Sequence, residues 1–415
     1  MTSTSPLRVL ISGGGIAGNA VALQLLRHGI HATVVERATA PRPGGQAVDL
    51  RGPSKEAAER MGLMPGIGKH QLDERGMAYI DGKGKVYARM AMADFDGLGA
   101  VADVEITRGD LNQVLLDELA ATGTGELDYR YGDWIERIDQ DDAGVGVTFA
   151  SGTTERFDLV IGADGVHSAT RRLVFGPEDR FSTHLGGYGA FFTIATPPDV
   201  EPGWFGMRLV PGAMLGIRPD SDPSTAKAII TVRAAHDPAL RRDLDAQRAL
   251  VRRALADAGW HAPEVLAAMD TAADFYFDEV ARVDVPELSV GRVTLIGDAG
   301  YCGSPLSGMG TAMAIVGAYV LAAEIAATPD DLTGAQRRYQ DAITPLLDKA
   351  KEIPGGGLPM MLPRTAVMTR LAKLNVRVMM SRPMRPLTKR IYFGDTAEFT
   401  LPAYATRPAA ATPTE

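Results

Sequence analysis

The chain contains one cysteine, Cys302, among 415 residues. That count excludes an intrachain disulfide, a CxxC redox pair and an all-cysteine metal site, and with them every disulfide reductase. Histidine is scarce as well: seven scattered residues without HExxH spacing predict no catalytic metal. Lys and Arg total 43 against 51 Asp and Glu, a formal charge of −8. A nucleic-acid binder needs the opposite balance to displace counterions from phosphates. The stretch Met1 to Arg8 lacks the apolar core of a secretion signal. No apolar run reads as reaching the roughly 18 to 20 residues that cross a bilayer, so no integral membrane segment is expected. The expected location is cytoplasmic.

What is present is ordinary globular material, 45% apolar and 23% charged, long enough for two domains with a core in each. Leu7 to Ser12 is an aliphatic run, Ala20 to Arg27 has apolar residues at helical spacing, and Ala32 to Glu36 reads as a second strand. A βαβ unit at the start predicts an α/β, doubly wound fold. Further buried strands are read at Phe157 to Gly162 and Val293 to Gly297, and helices near Pro53, over 107–121 after Thr107, and over Ala312 to Ala326. Between these pieces lie strand-like runs such as Ala228 to Val232 and a charged helix over about Pro238 to Gly259. The expected organisation is a discontinuous Rossmann-like domain (1–75, 100–175 and 286–345) with an inserted α+β domain (76–99 and 176–285). A C-terminal helical segment (346–406) and a disordered tail (407–415) follow.

Gly13-Gly14-Gly15-Ile16-Ala17-Gly18 satisfies GxGxxG directly after the first strand and at the opening of a helix. The first glycine permits the turn, the second lets a pyrophosphate approach the backbone, and the third lets helix and strand pack closely. The helix start offers free N–H groups and a positive dipole end to phosphate. Glu36 ends the second strand, where an acid accepts hydrogen bonds from a ribose diol, and Arg37 follows it. This motif alone does not separate FAD from NAD.

Two further stretches do. One runs Gly162-Ala163-Asp164-Gly165-Val166-His167-Ser168-Ala169-Thr170-Arg171; the other is Gly297-Asp298-Ala299, continuing through Pro305 to Gly308-Met309-Gly310. With GxGxxG, and in this order, they resemble the single-component FAD-dependent monooxygenases of the para-hydroxybenzoate hydroxylase type. That group includes aromatic hydroxylases and tetracycline-inactivating oxygenases, and the resemblance covers about Arg8 to Ile325. It implies that Asp164 and Gly165 help hold the FAD pyrophosphate region and that Arg171 shapes the nicotinamide route. On the residues alone, the same stretch reads as a strand-end turn with Ser168 as a helix N-cap and Arg171 in solvent. The resemblance also implies that Asp298 meets a ribityl hydroxyl and Pro305 lies beside the flavin ring. Gly308, Met309 and Gly310 would then open a helix aimed at the ring's pyrimidine edge, where reduced flavin is negative. Arg108 matches a family position near the flavin, and Gln46 and Arg51 fall in its flavin-proximal loop. Two positions depart: Gly300-Tyr301 stands where members usually continue to His, and Ala312 where many carry Asn.

The resemblance implies a hydroxylase that uses non-covalent FAD, NADPH or NADH as a transient co-substrate, and O2, acting through a flavin C4a-hydroperoxide. Baeyer-Villiger oxygenation, an FAD-dependent reductase or dehydrogenase, and a non-catalytic redox sensor are the alternatives. A halogenase of this fold should show WxWxIP, and none of Trp134, Trp204 or Trp260 sits in one. The expected substrate is a flat, hydrophobic, aromatic or polyketide-like small molecule, with Gly189 to Phe192 and Trp204-Phe205 suited to its pocket. His184, Tyr188 and Tyr276 are candidates for a base, and Cys302 reads as a small buried hydrophobe. From Ile353 to Gly394 there is no acid, but eight basic residues and six Met. A helix over Arg364 to Met380 would gather Leu371, Leu374 and Val378 on one face, expected to dock on the acidic body near the substrate entrance. The weaker reading is peripheral contact with an anionic membrane.

Overall fold

The computed structural model describes residues 7–42, 44–95, 104–122, 127–303, 307–351, 357–393 and 399–404. Pro305 and the tail beyond 407 lie outside them. A six-stranded sheet runs in the order Ser289–Val290, Val293–Leu295, Leu159–Gly162, Arg8–Ser12, His31–Glu36, Leu127–Tyr131. Every pairing is parallel except that of the two-residue edge strand. Ser12, Gly162 and Leu295 are in register, so the three motif loops leave neighbouring strands at the same end of the sheet. Such sheets bind ligands outside the carboxyl ends of their strands, where the chain order reverses.

The first helix, Ile16–Arg27, packs against Gly310–Ala327. The latter is 18 residues long with hydropathy 1.6, enough by length and composition to cross a bilayer. This corrects the expectation that no apolar run is so long. It is a core helix, 67% buried, and apolar on all sides because protein surrounds it.

A seven-stranded sheet runs in the order Tyr276–Val283, Ser182–Ala195, Thr225–Arg233, Ala213–Pro219, Trp204–Val210, Gly76–Ile80, Val86–Ala91. Its two sides differ by residue parity. Ala190, Phe192, Leu215, Ile217, Ala228 and Ile230 face helices Leu244–Leu255 and Ala262–Thr271 and form a second core. The charged helix expected over 238–259 is broken: a 3-10 turn, Pro238–Arg241, precedes Leu244–Leu255, and Asp243 caps the helix by accepting from the Ala246 amide. The loop expected at 44–52 contains a short strand, Ala47–Asp49, paired with Glu105–Thr107.

The opposite side of the large sheet meets the first domain through buried charges. Arg218 donates to Glu74 at 2.9 Å, Glu105 at 2.9 Å and the Ala47 carbonyl at 3.1 Å. Lys227 pairs with Asp220 at 2.8 Å and donates to Thr193 at 2.7 Å. A Cβ on Gly44 would lie 3.0 Å from its Nζ. Arg218, Lys227 and Thr193 therefore mark the sheet face turned toward the glycine-motif domain.

Candidate flavin site

The three motif loops touch. Gly13 has φ +111°, and a Cβ there would stand 2.5 Å from the Ala163 carbonyl oxygen and 3.0 Å from the Asp164 Cα. A Cβ on Gly297 would meet Ala17 at 2.9 Å, and one on Gly310 would lie 3.7 Å from Asp298 Oδ1. The loops thus form one rim, and at Gly13 and Gly297 an added side chain would wedge it apart. Gly18 belongs to the closure as well, since a Cβ there would be 1.9 Å from the Gly13 carbonyl oxygen.

Gly15 differs. It is the N-cap of Ile16–Arg27, its φ is −85°, no side chain caps the helix, and a Cβ added to it meets nothing within 4 Å. Gly165 and Gly308 likewise face open space. The rim therefore has a hollow that begins at a helix start with uncapped amides, which fits a pyrophosphate. Met309 caps the second helix, Gly310–Ala327, also without a side-chain hydrogen bond. One phosphate-sized cradle and one helix start on the same rim suit a dinucleotide carrying an electron-rich ring.

Glu36 is half-buried and braces the first loop, accepting from the Gly14 amide at 2.8 Å and the Ala38 amide at 2.7 Å. Arg37 is exposed beside it. Sequence reasoning missed a polar brace below. Asn19 donates to the Gly14 carbonyl at 2.9 Å and to Asn112 at 2.9 Å, and Tyr129 donates to Asn19 at 3.0 Å. The available signal was Asn19 itself, a fully buried polar residue within an apolar helix.

The second motif is held by hydrogen bonds within its own turn. Both oxygens of Asp164 face inward, accepting from the Thr170 amide at 2.9 Å, the Thr170 hydroxyl at 3.0 Å and the Ser168 hydroxyl. Ser168 is the N-cap of Ala169–Val174, as the residues alone suggested, accepting from the Arg171 amide. Arg171 is not in solvent. It is fully buried and donates to the Val166 carbonyl at 2.6 Å and the Ala299 carbonyl at 2.7 Å, lacing the second motif to the third.

Arg108 opens helix Arg108–Ala121, capped by Thr107, with its side chain exposed and its amide donating to the Gln46 carbonyl at 2.9 Å. Arg51 pairs with Asp49 nearby. Tyr301, at the departure from the family pattern, turns into the core and meets the Tyr339 hydroxyl at 2.8 Å; burial pushes its phenol up to about 12. Cys302 is buried in the same core.

Of the three base candidates, His184 and Tyr188 point to the helix-covered side of the large sheet, Tyr188 stacking on Phe277. Only Tyr276 is on the side facing the rim. Its residue surface is 43% exposed, and the partial burial of the phenol, then the Asp278 carboxylate, pushes it upward. The charges of Arg108 and Asp298 both act on it. Phe191 lies on the same face, its ring 6.2 Å from that of Tyr276.

From Tyr276 a hydrogen-bond chain leads outward. Its hydroxyl donates to Asp278 at 2.7 Å, Asp278 meets His167 Nε2 at 3.0 Å, His167 Nδ1 meets Glu178, and Glu178 pairs with Arg241 at 3.1 Å. Burial disfavours the His167 imidazolium, but the hydrogen bonds it donates to the Asp278 and Glu178 carboxylates outweigh this and raise the group to about 9. The His167 hydrogen bond depresses Glu178 to about 2.

The C-terminal segment docks on the large sheet as expected, with Leu358 and Leu362 packed on Leu209 and Arg385 paired with Asp94 at 2.6 Å, but the apolar face of its main helix does not make the contact. Helix Ala366–Met379 buries Thr369 and turns its apolar ridge outward: Val367, Leu371, Leu374 and Val378 are 65%, 59%, 57% and 46% exposed.

The sequence profile of the FAD binding domain family matches residues 6–337. An uncharacterised protein of Mycobacterium tuberculosis, MT1298, is 38% identical over 84% of this chain and 94% of its own length. A flavin-dependent monooxygenase of Legionella longbeachae is 35% identical over 82% of this chain and 86% of its own. Among solved structures, the tetracycline destructase Tet(51) superposes with a TM-score of 0.78 at 30% identity, covering 96% of this chain and all of that one.

Proposed function

Because the chain belongs to the FAD binding domain family of FAD-dependent monooxygenases, we propose that the rim formed by Gly13–Gly18, Asp164–Gly165 and Asp298–Gly310 holds one FAD, opposite a substrate wall carrying Phe191 and Tyr276. The carrying observation is the contact of all three loops at one end of the six-stranded sheet, with open space at Gly15. Bound FAD supplies the redox chemistry that takes a hydride from NAD(P)H, typical of this family, and activates O2.

The chain's own part is binding, orientation and proton handling. The uncapped amides at Gly15 and Ile16 take the pyrophosphate, Glu36 takes the adenosine ribose, Asp298 takes the ribityl chain, and the Gly310 helix start faces the ring's negative edge. Arg108, Gln46 and Arg51 form the outer lip, and Arg37 flanks the ribose end. Asp164 acts through the turn it stabilises, presenting Gly165 to the ligand. Phe191 and its neighbours seat a flat, apolar, aromatic or polyketide-like substrate, with hydroxylation as the outcome. The Tyr276 phenol, held as a donor, exchanges a proton with the substrate's polar group along the path through Asp278, His167 and Glu178 to the surface.

Purified protein should be yellow, release FAD on denaturation, and consume O2 with NAD(P)H, faster when a ligand fills the wall. Protein that stays colourless with added FAD would end this reading. The outward apolar ridge of Ala366–Met379, set in a segment with eight basic residues and no acid, supports a second contact, with an anionic membrane surface. Cosedimentation with anionic but not neutral liposomes tests it, and equal behaviour with both refutes it.

A further inference from the structure

The side of the large sheet turned away from the rim carries a cluster that the flavin reading leaves unused. His184 stands on strand Ser182–Ala195 and Glu279 on Tyr276–Val283, and the register between them slips after His184, with Gly186 at φ +95°. Such a bulge re-aims a side chain, and here it brings His184 beside a residue it does not pair with. His236 comes from the loop after Thr225–Arg233. That loop is tied down at both ends of a short span: the Ala234 amide donates to the Gly186 carbonyl at 3.2 Å, and the Asp237 amide to the Tyr188 hydroxyl at 2.8 Å.

Both Nδ1 atoms, of His184 and of His236, lie 3.1 Å from the same carboxylate oxygen, Glu279 Oε2. His184 Nε2 lies 3.1 Å from the Ala234 carbonyl, an acceptor only, so Nε2 carries the proton. In the neutral ring, Nδ1 is then a bare lone pair aimed at a carboxylate, an arrangement that calls for a cation between them. A backbone carbonyl that holds the far N–H of an imidazole is the usual support behind a metal-binding histidine. The two 3.1 Å edges of this donor triangle come close to the edge, about 3.3–3.6 Å, of a tetrahedron drawn at the zinc distance of about 2.0–2.2 Å to N and O, and the third edge is no longer than 4.8 Å. Glu279 and His184 are 14% exposed and His236 is 54% exposed, so a fourth position would open to solvent on the His236 side. His167 offers a contrast. Its two nitrogens spend themselves on two different carboxylates on opposite sides of the ring, and no single ion could be reached by all three.

We propose that His184, His236 and Glu279 form a three-ligand site for a divalent metal of the zinc class, completed by water. The metal pins the 234–237 loop to the bulged edge of the sheet and is separate from the flavin chemistry. No thiol competes for it, since the one cysteine is buried in the other domain's core.

The test uses untagged holoprotein, stripped with EDTA, dialysed against dilute zinc chloride and analysed for metal by mass spectrometry, with thermal melts alongside. One zinc per chain and a rise in Tm of several degrees are expected, because a ligand bound only by the folded state stabilises it. His236→Ala, on an exposed loop, and Glu279→Gln should each lower zinc affinity at least about tenfold and abolish the Tm shift at unchanged flavin absorbance, while His261→Ala should retain both. Holoprotein that retains no zinc, or variants that retain it as wild type does, would overturn the site.

Discussion

The end of the six-stranded sheet and the side of the seven-stranded sheet turned toward it are built by opposite rules. The first is made of backbone. Its loops close because Gly13 and Gly18 let main chains approach within distances that a Cβ would occupy, and Gly297 leaves room for the Ala17 methyl. The second is made of side chains delivered by strands far apart in sequence, with Tyr276, Phe191, Lys227 and Arg218 sharing a face only through sheet pairing. A site made of backbone carries its constraint locally, as spacing. A site made of side chains acquires its meaning only after the sheet forms.

If the two regions are joined mainly by the Arg218 cluster, breaking that joint gives the largest effect. Arg218 sits between two nearly inaccessible carboxylates, Glu74 and Glu105. Arg218→Ala removes the guanidinium from between them, and a loss of about 3–5 kcal/mol is expected from chemical denaturation. A loss under about 1 kcal/mol would mean that water or other groups take over the pairing.

A second joint crosses between the regions at His167, and its effect depends on pH. Its folded value of about 9 stands above the ordinary 6.5, so its contribution is full below about 6.5 and is lost as pH rises through 9. Glu178, depressed to about 2 from 4.5, contributes fully above about 4.5 and loses its contribution as pH falls toward 2. Stability from this pair is therefore greatest between about pH 4.5 and 6.5. His167→Gln should flatten the fall of Tm from pH 6.5 to 9, an effect on the order of 2–3 kcal/mol. An unchanged slope would show that the ion pair is not what holds this joint.

Tyr276 sharpens the comparison, because it belongs to the wall and not to the rim. Tyr276→Phe should slow substrate oxidation about 10- to 100-fold while flavin content and Tm stay at wild-type values. Loss of flavin with the hydroxyl would move this residue to the cofactor side.

The same division explains what the sequence disclosed. The order of strands and helices around Gly13–Gly18, Gly162–Asp164 and Gly297–Gly310 was legible because glycine spacing and apolar runs encode it within a few residues. Asp164 and Arg171 were legible as a motif, but their partners within the protein were not. Whether a carboxylate turns to a ligand or caps its own helix depends on Ser168 and Thr170, and Arg171 finds its acceptor, the Ala299 carbonyl, 128 residues away. The ridge of Ala366–Met379 was read correctly as one apolar face, but periodicity does not say which way that face points. His184, His236 and Glu279 had no signal at all, since their spacing follows no motif and a β-bulge brings them together.

The most direct test of the central claim, that the three loops grip one FAD, is a fluorescence titration of FAD into wild-type and Gly15→Val protein. Gly15 has an ordinary φ and open space where the new side chain would go, so the fold should tolerate valine while the phosphate cradle fills. One FAD per wild-type chain is predicted, with binding at least about tenfold weaker in the variant at unchanged Tm. Equal affinity in the two proteins, or a wild-type chain that takes up no flavin, would contradict the account.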